Sequence, residues 1–351
     1  MVYCKLFLVG CPRSGTTWLE RMINCHPDIV AVLNESNAYS NTYNNFTYLK
    51  KQKFKKKLKS AKWLLKSYGL KSLLLGIESE DLWQGILQQY KINEKGVDKF
   101  GLNDRVSHGG LHHLVSYAEL EQLIAQVRSG SEDDLTKVMI LNQLMFDCFF
   151  TNNGGTEKQI ILEKTPLHIH YIDVILRQFP EAKSIEIIRD GRDVCVCYQA
   201  LAKTQSWARQ STTSVIKTWK KAIEAGEKAK ADPEISDRIY SVCYEKLRSY
   251  PQEELSKIFD FIGLEYDQAL VDSITDVNDI NKVKNKGEGK LARKGSIGEW
   301  QTRLSQQDVT LWQELAGDTL ARLGYLTEAK LMMKFGLGQK ENNFRIPIIQ
   351  S

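Results

Sequence analysis

The segment Gly10-Cys11-Pro12-Arg13-Ser14-Gly15-Thr16-Thr17-Trp18-Leu19 follows directly on the apolar run Leu6-Phe7-Leu8-Val9, and this junction constrains the chain more than any other feature. Four consecutive apolar residues suit a short strand buried on both faces. The Gly/Pro/Ser stretch then ends the strand and turns the backbone, and the residues from Thr16 on support a helix over 16–25. In a strand–turn–helix unit the first helical N–H groups face the turn, where they and the helix dipole favour an anion. The spacing of Gly10, Gly15 and the paired threonines copies the phosphate loop of nucleotide triphosphatases, but Thr16 stands where that loop carries its lysine. The cation is instead Arg13, inside the turn, whose planar fork bridges two oxygens. The pattern points away from ATP hydrolysis and towards a nucleotide whose 5′-phosphate bears a transferable group.

A second anion-binding element lies at Ser184-Ile185-Glu186-Ile187-Ile188-Arg189-Asp190-Gly191-Arg192-Asp193-Val194-Cys195-Val196-Cys197-Tyr198. A β-branched strand ends at Arg189, and a helix is expected from Arg192. Such an arginine sits at the carboxyl end of a parallel sheet, where α/β folds bind ligands. Strands are expected over 5–9, 29–33, 159–162, 184–188 and 238–243, and helices over 16–25, 171–179, 192–202, 214–230, 252–262 and 305–323, with Gly324 as a stop signal. This alternation predicts an α/β fold, a parallel β-sheet flanked by helices on both faces. With no internal repeat, residues 1–351 are expected to form a single domain.

Composition narrows the class. At 42% apolar and 26% charged residues, the 351-residue chain has the balance of an ordinary soluble α/β protein, and its net charge of +5 suits an anionic cofactor without indicating nucleic acid. Cys4, Cys11, Cys25, Cys148, Cys195, Cys197 and Cys243 are odd in number, scattered and mostly set in apolar runs, the pattern of reduced thiols in a cytoplasmic protein. No Cys/His spacing suggests a metal. The first apolar run passes straight into the anion loop, so it reads neither as a signal peptide nor as a membrane anchor.

Pro-Arg-Ser-Gly-Thr-Thr-Trp after an amino-terminal strand resembles the 5′-phosphosulfate loop of sulfotransferases that use 3′-phosphoadenosine-5′-phosphosulfate (PAPS), and three further segments resemble the same family in the same order. The resemblance implies that Arg13, Ser14, Gly15, Thr16 and Thr17 hold the 5′-phosphosulfate and that Trp18 stacks on the adenine. It implies that Arg189 grips the 3′-phosphate together with a serine, whose place is taken here by Cys197, a poor donor to phosphate. Val242-Cys243-Tyr244-Glu245-Lys246-Leu247 resembles the family's Tyr-Glu-Asp-Leu segment and sets Tyr244 near the adenine; Tyr244 also reads as ordinary core. Leu291-Ala292-Arg293-Lys294-Gly295-Ser296-Ile297-Gly298-Glu299-Trp300 resembles the loop, here about 276–300, that closes over the 3′-phosphate through Arg293, Lys294 and Gly295.

The resemblance covers the cofactor half, and residues about 37–153 are expected to hold acceptor-binding insertions. Within them, 49–71 is a lysine-dense run that reads as a solvated amphipathic helix or as a polyanion- or membrane-binding face. Glu78, Glu80 and Asp81 read either as the acidic first turn of a helix or as the wall of a pocket for a cationic acceptor. His112 and His113 are further candidates for that pocket.

Sulfonyl transfer by in-line displacement needs a general base on the acceptor and cations on the leaving phosphate. Many small-molecule sulfotransferases draw the base from a Lys-Thr-His segment; here Glu163-Lys164-Thr165-Pro166-Leu167-His168 has proline in that place. This resembles the branch containing carbohydrate, protein-tyrosine and many bacterial sulfotransferases, whose base is often a glutamate after the second strand, here Glu35. His168 is the second candidate, and Lys164 is a candidate contact to the sulfonate or leaving phosphate. The expectation is therefore a metal-independent enzyme that sulfonates a hydroxyl or amine of a small-molecule acceptor. That acceptor is expected to be a secondary metabolite such as a cationic alkaloid, as in cyanobacterial guanidinium-toxin biosynthesis. A carbohydrate or lipid acceptor is the nearest alternative. A kinase or a non-catalytic PAPS-binding protein is the alternative from another class, and oligomeric state is left open.

Overall fold

The structure, a computed structural model, describes residues 4–43, 80–94, 109–156, 159–282 and 295–326. The chain packs as two compact units, one of Val32–Thr156 and one of Val2–Ala31 with Glu157–Ser351. The expected insertion, 37–153, falls within the first.

The second unit is built on five parallel strands in the order β2-β3-β1-β4-β5: β1 Lys5–Gly10, β2 Ile29–Ala31, β3 Ile160–Lys164, β4 Lys183–Ile188 and β5 Ile239–Cys243. β1 is central because it is the chain's most continuously apolar strand. Leu6, Phe7, Leu8 and Val9 are fully buried, each stabilising the fold by roughly 1.5–3 kcal/mol relative to exposure. The register pairs Leu6 with Leu162 on β3 and Gly10 with Ile187 on β4. The chain leaves β1 towards β2 on one side of the sheet and leaves β4 towards β5 on the other. The crevice between the carboxyl ends of β1 and β4 is therefore the topological switch point, where open α/β sheets bind ligands.

The strands fall within two residues of expectation; β3 runs on to Lys164, and β2 stops at Ala31 rather than Leu33. Leu33 is exposed and Asn34 turns left-handed at φ 64°, which takes the backbone out of the pleat. The helix after β4 runs over Gly191–Leu201, capped by Asp190, whose side chain accepts from the Arg192 amide at 2.9 Å. A short helix at Tyr244–Ser249, not foreseen from the sequence, follows β5 directly.

In the unit Val32–Thr156, helix Tyr117–Arg128 packs against both Glu80–Glu94 and Asp134–Asn152. Ser116 and Glu119 form a reciprocal capping box at the second, and Asp133 caps the third. Tyr90 donates to the Val115 carbonyl at 3.0 Å, tying the first helix to the turn before the second. All seven cysteines are free thiols. No helix among the described residues is long and apolar enough to cross a membrane.

Candidate active site

The loop between β1 and the helix Thr16–Ile23 is wound by three positive φ angles within six residues: Gly10 at 146°, Arg13 at 75° and Gly15 at 101°. Two of these need glycine for space as well as for conformation. A Cβ at Gly10 would lie 2.5 Å from the Ile187 carbonyl oxygen, and one at Gly15 would lie 2.6 Å from the Tyr244 ring. Arg13 pays the conformational cost of a left-handed non-glycine residue, on the order of 1–2 kcal/mol, an outlier of the kind that clusters at functional sites. The Ser14 amide closes the turn on the Cys11 carbonyl at 3.1 Å, and the Trp18 and Leu19 amides bond back to Gly15. The amides of Gly15, Thr16 and Thr17 precede the first intrahelical bonds and face the loop. Gly15 caps the helix without a side-chain bond, and Ser14 Oγ is buried without a hydrogen-bond partner among the described residues.

Facing this loop across the switch point is Arg189, 5% exposed. Its Nη1 donates to the Arg13 carbonyl at 3.2 Å and lies 3.5 Å from Cys197 Sγ; its Nη2 donates to the Ser296 carbonyl at 3.0 Å. The guanidinium lies 4.3 Å from the centroid of the Tyr244 ring. Of its five N–H donors, these contacts engage three. Nε–H, buried and without a partner among the described residues, and a second Nη2–H remain. Thus one side chain gathers all four segments that the sequence singled out: the 10–19 loop through Arg13, the Arg189–Cys197 helix start, Tyr244, and the loop at Ser296. The Trp219 indole fixes the backbone from below by donating to the Arg189 carbonyl at 2.9 Å.

Trp18 packs edge-on against Tyr244, with centroids 6.0 Å apart, and donates to the Asn278 carbonyl at 2.8 Å. It also lines a cavity of about 500 Å³ together with Arg248, Thr275, Asp276 and Asn281. Tyr244 is 2% exposed and belongs to a hydrophobic core cluster, as its core reading has it, and the same ring floors the arginine.

At the end of β3, Lys164 is 4% exposed and its ammonium lies 3.5 Å from Glu20 on the helix Thr16–Ile23. His168 is fully buried. Its Nδ1 hydrogen-bonds the Glu163 carboxylate at 2.9 Å, and Thr165 donates to the same carboxylate at 2.6 Å. A histidine closed off from solvent and held by a buried carboxylate is built as a structural dyad.

In the other unit, Glu35 is half-buried in a segment held between two left-handed asparagines, Asn34 at φ 64° and Asn37 at φ 50°. Its carbonyl accepts from Gly110 at 2.8 Å, which joins this segment to the short turn Leu111–His113. The rings of His112 and His113 lie 4.0 Å apart there, and His112 packs edge-on against Tyr90. Arg293, Lys294, Glu78 and the basic run 49–71 lie outside the described residues, as do the side chains of Glu80 and Asp81, whose backbone opens the helix Glu80–Glu94.

The sequence reading passed over Asp193. It is 1% exposed and accepts from the amides of Gly298 at 2.7 Å and Trp300 at 2.9 Å. Its place four residues before Cys197, on the same helical face, was the available signal. It also passed over Arg192, which forks onto Asp190, stacks on Trp300 at 3.7 Å and donates to the Tyr325 carbonyl at 2.9 Å.

A family model described as the Sulfotransferase family matches residues 5–268. The chain belongs to the Sulfotransferase family. This sulfotransferase matches no curated protein sequence. Among solved structures it is similar to mouse sulfotransferase SULT7A1 complexed with PAP (14% identity, TM-score 0.49, covering 95% of this chain and 89% of that one). It is also similar to the sulfotransferase domain of the Synechococcus PCC 7002 olefin synthase (19%, 0.45, 89% and 93%). Sulfotransferase STF9 from Mycobacterium avium is a third (14%, 0.46, 92% and 77%).

Proposed function

We propose that this sulfotransferase moves the sulfonate of PAPS to a hydroxyl or amine of a small-molecule acceptor and releases adenosine 3′,5′-bisphosphate (PAP). The observation that carries the reading is Arg189. A buried guanidinium, held on three sides by carbonyl, thiol and ring, keeps two N–H donors for an anion. The buried, unpartnered Ser14 Oγ and the left-handed turn at Gly15, which starts the helix Thr16–Ile23 with no side-chain cap, support a second anion at the 10–19 loop. Two such sites fit a nucleotide phosphorylated at both ends.

When bound, PAPS supplies an activated sulfonate whose leaving group is a phosphate. In this reading Arg13 and the amides of Gly15, Thr16 and Thr17 stabilise the charge that grows on that phosphate, in a site that needs no reorganisation. Lys164, balanced by Glu20, adds a cation at the end of β3. Arg189 holds the 3′-phosphate, with Arg293, Lys294 and Gly295 assigned to it by resemblance. Cys197 keeps the guanidinium in place more than it binds phosphate, since a thiol is a weak donor. Trp18, beside the 500 Å³ cavity, is assigned to the adenine.

Glu35 is assigned as the general base that takes the acceptor proton on its carboxylate. It is half-buried and its backbone is pinned, whereas His168 is sealed inside the fold. His112 and His113, on the turn bonded to the Glu35 carbonyl, are assigned to the acceptor pocket. The acidic start of the helix Glu80–Glu94, with Glu78, favours a cationic acceptor such as an alkaloid. Incubation with labelled PAPS and a panel of cationic, neutral and anionic acceptors, read by mass spectrometry, tests the reading. Transfer to cationic acceptors that collapses in Glu35→Gln supports it, and retention of full turnover in Glu35→Gln removes the glutamate assignment.

A further inference from the structure

Arg189 depends on a carbonyl that is itself held in place. Its Nη2 is fixed by the Ser296 carbonyl, which belongs to a segment of two tight backbone turns, Gly295 at φ 63° and Gly298 at φ 73°. Such a segment has little apolar surface of its own; Ser296, Ile297, Gly298 and Glu299 are all partly exposed. Two anchors bind it to the helix Gly191–Leu201. One is the stack of Trp300 on Arg192. The other is the Asp193 carboxylate, whose two oxygens each accept one backbone amide, Oδ2 from Gly298 and Oδ1 from Trp300.

We propose that Asp193 is a positioning residue for the anion site: by holding the Gly298 and Trp300 amides it fixes the Ser296 carbonyl, and through it the orientation in which Arg189 offers its two remaining donors. The assignment to phosphate rests on the PAPS reading above, whereas the holding of 295–300 stands apart from it. The chemistry is specific to a carboxylate. Two amide donors converge on two acceptor oxygens inside a buried site, a pattern that an ionised acid satisfies and an amide side chain, with one oxygen and an –NH₂, does not. The stack on Arg192 orients the ring of Trp300 but leaves the Gly298 amide uncommitted, so loss of Asp193 frees the backbone two residues from Ser296.

The test is Asp193→Asn in the full chain, with Asp193→Ser, which keeps a single acceptor, as the second variant should the first not fold. Three quantities are read: amide hydrogen exchange of the 295–303 segment without ligand, PAP affinity by calorimetry, and the donor and acceptor KM values. Exchange of the segment is expected to rise at least about tenfold, and PAP affinity to fall by about tenfold. The donor KM should rise, while the acceptor KM and the melting temperature stay near wild type. A general loss of structure would move all of these together. Unchanged exchange in the segment overturns the anchor, and faster exchange with PAP affinity within twofold of wild type overturns its role in positioning Arg189. Failure of the wild-type protein to bind PAP overturns the PAPS reading instead, and the exchange measurement still decides whether Asp193 holds the segment.

Discussion

Replacing Gly15 by alanine tests the geometry of the anion loop with a single methyl group. Two costs are separable in the structure. The first is conformational, because alanine must adopt φ 101° and ψ 9°, at about 1–3 kcal/mol. The second is steric, because the new Cβ lies 2.6 and 2.7 Å from two carbons of the Tyr244 ring. That ring is 2% exposed and cannot swing aside without disturbing the core, so overpacking adds about 1–3 kcal/mol. The sum, about 2–6 kcal/mol, corresponds to a melting temperature lower by roughly 3–10 °C for a chain of this size. The ring also lies under Arg189, 4.3 Å from the guanidinium, so PAP affinity should fall by at least about tenfold. Gly263→Ala is the control: its φ is 88°, yet nothing among the described residues lies within 4 Å of the new Cβ. It carries the conformational cost alone, about 1–2 kcal/mol, and should leave PAP affinity unchanged. Differential scanning calorimetry and PAP titration on both variants separate the two costs. Equal melting temperatures for Gly15→Ala and wild type, with equal PAP affinity, would refute the close approach of the loop to Tyr244.

Arg189→Lys keeps the charge but loses the planar fork and the fit to the Ser296 and Arg13 carbonyls; PAP affinity measured by calorimetry should drop by about 1.5–3 kcal/mol, tenfold or more. Glu35→Gln should lower kcat by about 10²–10⁴-fold with PAP affinity unchanged, while His168→Asn, which breaks the buried dyad with Glu163, should lower the melting temperature and leave the pH profile of kcat in place. Burial pushes the Asp193 carboxyl up to about 6, with Arg189 opposing and Asp190 reinforcing the rise. Because the folded value lies above the ordinary carboxylate value of about 3.9, the unfolded chain binds fewer protons between about pH 4 and 6, and this group's contribution to stability falls as pH rises through that window. Denaturant titrations across the window should show wild type losing stability relative to Asp193→Asn, and a constant difference would remove the assignment.

The cofactor half was legible because its chemistry is written in the backbone. Gly10 and Gly15 are where the chain meets the Ile187 carbonyl and the Tyr244 ring, and such positions show up in a sequence as glycine. The β1 run, buried on both faces, could belong only to the centre of a parallel sheet. Arg189 was placed correctly at a strand end, and its four contacts follow from where the other three segments return to the same sheet edge. What stayed hidden depends on tertiary partners. The carboxylate of Asp193 serves amides more than a hundred residues away; the sequence marks its helical face, shared with Cys197, but not those partners. His168 reads as a base from its neighbours in the chain, yet Glu163 and the packing of the interior bury it. Of the helices of 80–152 only the start of Glu80–Glu94 is offered by the sequence, as an acidic first turn; Tyr117–Arg128 and Asp134–Asn152 are not, although Ser116 and Glu119 spell a capping box.

The account stands or falls on the two anion sites at the switch point. Isothermal titration of PAP into the wild-type protein, repeated with Arg189→Met, measures them directly. The account predicts one molecule of PAP bound per chain with a Kd of about 1 µM or tighter, weakened at least tenfold in the variant. No association of wild type with PAP, or equal affinity in the two proteins, would contradict it.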